Sequence, residues 1–194
     1  MVYQIIAIFI MISFYGCYFF KMFLQKRQGI QTDQLGKGKQ GFVKGIEIGT
    51  KAVTIVVPLA EVICIFRNVT VLPDWARILG AVIGTAGVAA FVVSVCTMKD
   101  SWRAGVSETE KTELVTTGIY QISRNPAFLG FDLMYMGILL MFFHWGLLLI
   151  TLLGMLMLHL QIVNVEEDFL ITAFGEDYLA YRRKVRRYLG RRRG

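Results

Sequence analysis

A short polar stretch between two apolar segments carries residue types that could bind a charged ligand. Gly118 and Tyr120 lie in a predicted turn. Arg124, Asn125 and Pro126 follow at the start of a predicted helix. Proline is favoured at the first helical position, and the unpaired N–H groups at a helix start can bind an anion. Arg124 adds a fixed positive charge there, and Tyr120 and Phe128 could supply aromatic faces. The stretch therefore suits a ligand with a carboxylate or phosphate, a ring and a cation.

A second group of polar residues follows the last apolar segment. The adjacent acids Glu166 and Glu167 stand among basic residues, which suggests a role in binding. His159 precedes them on the same predicted helix, and in a regular helix His159, Val163 and Glu166 share one stripe. We expect this stripe to line a polar cavity. The alternative for His159 is an interfacial position with hydrogen bonds between helices.

The elements that must position these residues are apolar helices. Of the 194 residues, 55% are hydrophobic, which is too high a fraction for an ordinary soluble domain. A helix needs about 20 mostly apolar residues to cross a bilayer. Three segments approach or exceed that length and two are shorter: 2–20, 46–66, 76–98, 128–143 and 147–163. We therefore expect an all-α integral membrane protein with five transmembrane helices and a helical C-terminal cap.

The chain is expected to form one membrane domain in two parts. Residues 1–100 hold the first three helices, and residues 101–194 hold the polar loop, a helical hairpin and the tail. In the third helix Gly80, Gly84 and Gly87 lie on nearly one face, a pattern that lets two helices pack closely. The three cysteines stand apart in apolar segments with no CxxC pair, so we expect neither a zinc site nor a disulfide.

Basic residues are concentrated on one side of the predicted helices. If the Lys21 side is the inside, only Arg67 and Arg77 of the 21 Lys and Arg residues fall outside. The positive-inside rule then predicts an external N-terminus and a cytosolic C-terminus. The tail is rich in arginine and ends in the run 191–193. We expect it to contact anionic lipid rather than nucleic acid.

Within the second predicted helix, Glu47 and Lys51 are four residues apart. Side chains with this spacing lie on the same helix face, where opposite charges can pair. We therefore expect these two residues to form an ion pair near the membrane interface.

Two blocks of sequence together resemble a known family. The run from Leu114 to Gly130 reads Leu-Val-Thr-x-Gly-x-Tyr and then Arg-Asn-Pro-x-Phe-x-Gly. It is similar to the signature of the isoprenylcysteine carboxyl methyltransferases and their phospholipid methyltransferase relatives. The second block, Glu-Glu and then Phe-Gly-x-x-Tyr-x-x-Tyr, continues to Val185 and Arg187 and resembles the family's tail. Three positions depart from the family pattern: Ile119 replaces Pro, Asn125 replaces His and Phe128 replaces Tyr.

The resemblance implies a pocket for S-adenosylmethionine enclosed by the last helices and the tail. Arg124 and Glu167 would be its catalytic residues. By motif position, the cofactor contacts would be Leu114, Val115, Tyr120, Asn125, Pro126, Ala127, Phe128 and Glu166.

The implied reaction is methyl transfer to a lipid-like or prenylated acceptor in the membrane. We expect carboxyl O-methylation, because a carboxylate is already nucleophilic at neutral pH whereas an amine must first lose a proton. Phospholipid N-methylation is the first alternative. An NADPH-dependent enzyme like the membrane sterol reductases and a non-enzymatic helical bundle are the others.

Overall fold

A computed structural model describes residues 1–37, 39–106 and 113–192. Lys111 and Arg193, which were counted with the basic residues above, lie outside the described residues. The described chain is helical, and its connections include short 3₁₀ turns and one π-helical turn at Ile162–Glu166. The α-helices are α1 Val2–Arg27, α2 Gly41–Arg67, α3 Asp74–Met98, α4 Pro126–Met141, α5 Trp145–Gln161 and α6 Glu167–Lys184.

The helices have the lengths and composition of a membrane protein. Four helical stretches are long and apolar enough to cross a bilayer, and α4 is a shorter apolar helix. From α5 the chain continues through the π-helical turn into α6, so that Trp145–Lys184 is one stretch of 40 residues. Gly175, with φ of 50°, interrupts the helix within α6, so this stretch is not one straight rod. Its apolar part is α5 and its charged part is α6. The predicted all-α membrane fold is confirmed.

The two ends of the bundle have different character. At one end Lys21, near the end of α1, pairs with Asp100 after α3 at 3.3 Å. At the other end the side chain of Gln4 donates to the carbonyl of Ile65, near the end of α2, at 2.9 Å. We call these the basic end and the far end. The start of α4, the end of α5 and the tail also lie at the basic end, and its assignment to the cytosol stays a prediction.

Helices α3 and α4 pack backbone against backbone. A Cβ atom at Gly137 would lie 2.5 Å from the Cα of Gly84, and one at Gly80 would lie 2.5 Å from the carbonyl oxygen of Gly137. One at Gly87 would lie 2.6 Å from the backbone nitrogen of Met134. The predicted close packing through Gly80, Gly84 and Gly87 is confirmed, and the partner helix is α4. Because α4 begins with the Arg-Asn-Pro block, this contact fixes the block against α3.

Candidate active site

A buried ion-pair network joins the two sequence blocks. The guanidinium of Arg124 lies 3.1 Å from Oε1 of Glu167 and donates to the hydroxyl of Tyr178 at 2.7 Å. Arg187 donates from Nε to the same Oε1 at 2.8 Å and from Nη2 to Oε2 at 3.1 Å. Arg124 and Glu167 are both buried. The predicted catalytic residues are thus brought together, with the paired and hydrogen-bonded arrangement that buried charges require.

Arg187 is a site residue that the sequence-based prediction did not include. It belongs to the second matching block, and this position was the signal that could have singled it out. The hydrogen bond that it donates to Glu167 raises the pKa of Arg187 above its ordinary value. The guanidinium therefore stays charged at every pH near neutrality, and the carboxylate of Glu167 keeps a permanent partner.

Hydrogen bonds to the main chain dock the tail on the motif loop. The side-chain amide of Asn125 donates to the carbonyl oxygen of Arg187 at 3.2 Å. The hydroxyl of Tyr181 donates to the carbonyl oxygen of Tyr120 at 2.6 Å. The backbone nitrogen of Asn125 in turn donates to the hydroxyl of Ser123 at 3.1 Å. Asn125 therefore links the start of α4 to the tail, a role that needs its amide and no titratable group.

Three of the predicted cofactor contacts lie in a small apolar cluster at the basic end. Leu114 and Val115 pack against a buried cluster that contains Tyr120 together with Tyr178 and Tyr181 of α6. Burial raises the pKa of Tyr120, so its hydroxyl remains protonated at neutral pH. The cluster forms an apolar wall beside the ion-pair network.

A cavity of about 260 Å³ lies against the start of α4. Ala127 and Phe128, two further predicted contacts, line it together with Phe131 and residues of α1 and α2. Phe19 and Ile55 also line the cavity, yet 61% and 56% of their surfaces are exposed. The cavity therefore reaches the outer surface of the bundle between α1 and α2, where lipid would surround the protein.

The end of the cavity nearest the tail is polar. Gln161 lines it, and its Nε2 donates to Oε1 of Glu166 at 3.4 Å. Glu47 of α2 is fully buried and close enough to interact electrostatically with Glu166. In the described part of the chain, Oε1 of Gln161 and Oε1 of Glu47 are buried without a hydrogen-bond partner. Gln161 thus brings an unpaired acceptor oxygen to this end of the cavity, and Glu47 is buried nearby without being one of the residues that line it.

The predicted ion pair between Glu47 and Lys51 is wrong. Lys51 pairs instead with Asp33 at 2.6 Å, and both residues line the cavity. Glu47 accepts a hydrogen bond from the backbone nitrogen of Gly36 at 2.7 Å. The loop between α1 and α2 folds back over the start of α2, and it offers these groups closer partners than helix spacing does.

The paired glutamates face different parts of the site. Glu167 reaches Arg124, whereas Glu166 contacts Gln161. His159 is turned toward the tail, and its Nδ1 lies 2.5 Å from the hydroxyl of Tyr188. The predicted single stripe of His159 and Glu166 is therefore wrong. The π-helical turn between them, with its i→i+5 bonds, rotates Glu166 away from the direction that a regular α-helix would give.

The site thus combines a largely apolar cavity, which reaches the outer surface of the bundle, with a buried charged network. Residues 75–177 match the model of the phospholipid methyltransferase family. Because they make up more than half of the chain, the protein belongs to this family of integral membrane methyltransferases. No curated protein matches the chain. The resemblance seen in the two blocks is confirmed, and it favours methyl transfer over the reductase and the non-enzymatic bundle.

Proposed function

We propose that the protein transfers a methyl group from S-adenosylmethionine to a lipid acceptor that reaches the site from the bilayer. The cavity is the observation that carries the proposal. It opens beside Phe19 and Ile55 on the outer surface, and it extends to Ala127 and Phe128 at the start of α4. The family resemblance assigns those last two residues to the cofactor. The apolar part of the acceptor would occupy the aromatic section of the cavity.

Buried polar atoms without partners fit a cofactor that carries both signs of charge. Among the described residues, Nε of Arg124 is a buried donor without an acceptor. Oε1 of Gln161 and Oε1 of Glu47 are buried acceptors without donors. Each such atom costs about 1–3 kcal/mol when it is left unpaired. A ligand with a carboxylate and cationic groups would pair with them, and S-adenosylmethionine has both.

The protein's own groups would bind and position the reactants. Arg124 would hold a carboxylate, and the wall of Leu114, Val115 and Tyr120 would hold an apolar or aromatic part. Phe128 would exclude water from the reacting atoms. The bound cofactor supplies a methyl group on a sulfonium, which an acceptor can attack directly. Holding the acceptor in line with that methyl group would lower the activation free energy by roughly several kcal/mol, as positioning does in other enzymes.

We propose further that the acceptor is an amine headgroup, as in phosphatidylethanolamine. Glu166 is bonded to Gln161, which lines the polar end of the cavity, and buried Glu47 lies close to Glu166. Carboxylates at this place favour an ammonium group over a second carboxylate. An amine must lose a proton before it attacks, and we assign this step to Glu166, which contacts Gln161. The preference for carboxyl O-methylation drawn from the sequence considered only the need for a base. Carboxyl O-methylation is the second candidate.

A transfer experiment in a defined bilayer tests the proposal. The protein is placed in nanodiscs of phosphatidylcholine and phosphatidylethanolamine with methyl-labelled S-adenosylmethionine, and the extracted lipids are identified by mass spectrometry. We expect label on the ethanolamine nitrogen. Label that is released as methanol by mild base would identify a methyl ester and therefore a carboxylate acceptor. Calorimetry that detects binding of NADPH but not of S-adenosylmethionine would refute the methyltransferase proposal.

A further inference from the structure

The tail ends in a tight turn that we call the tail tip, residues 185–192. Val185 and Arg191 form an antiparallel bridge, and the backbone nitrogen of Arg186 donates to the carbonyl of Gly190 at 2.9 Å. Gly190 has φ of 101°, which a residue with a Cβ atom rarely adopts. The tail tip is therefore a defined hairpin rather than a free arginine-rich end.

The tail tip is fixed to the motif loop. The backbone nitrogen of Gly190 donates to the carbonyl of Ile122 at 2.7 Å. Arg191 donates from Nη2 to the side-chain oxygen of Gln121 at 2.8 Å and from Nε to its carbonyl at 3.2 Å. These contacts hold the tip just before Pro126, where α4 begins.

The outer face of the tail tip combines apolar and basic side chains. Leu189 is 64% exposed and Ile122 is 48% exposed. The backbone hydrogen bond from Gly190 to Ile122 joins the two segments that carry these side chains. Arg186 and Arg192 are exposed beside them. Within the described ranges, neither of these two guanidinium groups has an acidic partner. Single exposed leucines are common, but an apolar pair flanked by unneutralised arginines matches the chemistry of a membrane surface.

The depth of this face follows from the length of α4. Its 16 residues span about 24 Å, which is less than the roughly 30 Å of a bilayer core. The start of α4 therefore cannot lie far outside the hydrocarbon region. Ile122 is one turn of chain before Pro126, so an α4 that crosses the core would place Ile122 and Leu189 at the level of the lipid headgroups.

We propose that the tail tip is a docking surface for anionic phospholipid headgroups. Leu189 and Ile122 enter the interface, and Arg186 and Arg192 bind the phosphate groups. The same segment carries Arg187, which pairs with Glu167, so the charge of the bilayer favours the assembled ion-pair network. This inference holds whichever acceptor is methylated.

Spin-label accessibility tests the docking surface without any methylation assay. Cys17, Cys64 and Cys96 are replaced by Ala, and a nitroxide is attached at Leu189→Cys. The protein is compared in nanodiscs of phosphatidylcholine and in nanodiscs that also contain phosphatidylglycerol. We expect the anionic bilayer to raise the collision rate of the label with oxygen and to lower that with a water-soluble nickel complex, each at least twofold.

Matched variants separate docking from a general effect of bilayer charge. A label at Glu176→Cys, on the exposed side of α6, should show the same accessibility in both bilayers. Adding Arg186→Gln and Arg192→Gln should remove the response at position 189, while circular dichroism and thermal stability stay unchanged. Equal accessibility at position 189 in the two bilayers, or the same response at position 176, would overturn the proposal.

Discussion

The contact between α3 and α4 and the space between α1 and α2 are opposite solutions to packing in a membrane. In the first, Gly84 and Gly137 bring the two helix backbones so close together that a Cβ atom on Gly137 would clash with Gly84. In the second, large rings such as Tyr18 and Phe131 line a cavity of about 260 Å³. Lipid is as apolar as the helix surfaces, so helices associate through close contact. Small residues produce that contact, and bulky residues around the cavity leave space.

The difference assigns a task to each interface. The glycine contact fixes the start of α4, and with it Arg124, Asn125 and the cavity residue Phe128. The cavity is lined partly by residues of α1 and α2, which belong to neither sequence motif. A lipid that diffuses in the bilayer can contact these residues. A methyltransferase for membrane lipids needs both, because the cofactor must be held firmly while the acceptor arrives from the bilayer.

The largest expected effect concerns the cavity side, and it is the pH dependence of the rate of methyl transfer. An amine with a pKa near 10 is mostly protonated at pH 7, so the rate of methyl transfer should rise with pH between about 6.5 and 9. A carboxylate acceptor, with a pKa near 4, should give a flat profile over the same range. Single-turnover rates at saturating S-adenosylmethionine measure the difference.

Cofactor affinity over the same pH range is the control for that profile. The hydrogen bond to Glu167 holds the pKa of Arg187 above its ordinary value, so this ion pair does not titrate there. The Kd of S-adenosylmethionine should stay constant. A flat rate together with a constant Kd would move the acceptor to a carboxylate and leave the cofactor proposal intact.

The second prediction concerns Arg124, just before α4, which the glycine contact fixes in place. In Arg124→Ala, Glu167 keeps Arg187 as its partner, so the fold should survive. Loss of the fixed charge should weaken binding of S-adenosylmethionine tenfold or more, which corresponds to about 1.4 kcal/mol. Calorimetry measures the change, and Arg183→Ala on the exposed face of α6 serves as the matched control. Unchanged affinity in Arg124→Ala would remove this residue from the cofactor site.

A third prediction concerns the route of the lipid. Thr54 lines the cavity on α2, and Thr54→Trp should fill part of it. We expect kcat/KM for the lipid acceptor to fall severalfold with no change in the Kd of S-adenosylmethionine. Leu59→Trp, on the lipid-facing surface of the same helix, should leave both values unchanged. A loss of activity in both variants would indicate a general effect of tryptophan on α2 rather than obstruction of the cavity.

The sequence predicted the helices of this structure better than the contacts between them. Long apolar segments determine spans, since each backbone must satisfy its own hydrogen bonds in lipid. The pairing of Arg187 with Glu167 could not be predicted, because the two residues meet only through tertiary contacts. The rotation of Glu166 depends on a π-helical turn that no residue pattern marks. The cavity depends on side chains such as Tyr18 and Ile55, which are ordinary residues of apolar helices until the helices are assembled.

The smallest expected effect is on stability, and it tests the glycine contact itself. In Gly137→Ala the new methyl group would lie 2.5 Å from the Cα and the nitrogen of Gly84 and 2.7 Å from the carbonyl oxygen of Gly80. These are backbone atoms, so a helix has to move. Overpacking of this kind costs about 1–3 kcal/mol, and each kcal/mol lowers the Tm of a chain of this size by roughly 2–4 °C.

The matched control for that substitution is Gly16→Ala in α1, where the added methyl group would meet no atom within 4 Å beyond its chain neighbours and its own helix backbone among the described residues. Alanine also favours a helix more than glycine does, by about 0.8–1 kcal/mol, so this variant should be as stable as the parent or slightly more stable. Thermal unfolding in one detergent measures both variants. If Gly137→Ala and Gly16→Ala shift the Tm equally, α3 and α4 are not in backbone contact. The start of α4 would then lose its rigid support, and the contrast between a fixed cofactor side and an open acceptor side would fail with it.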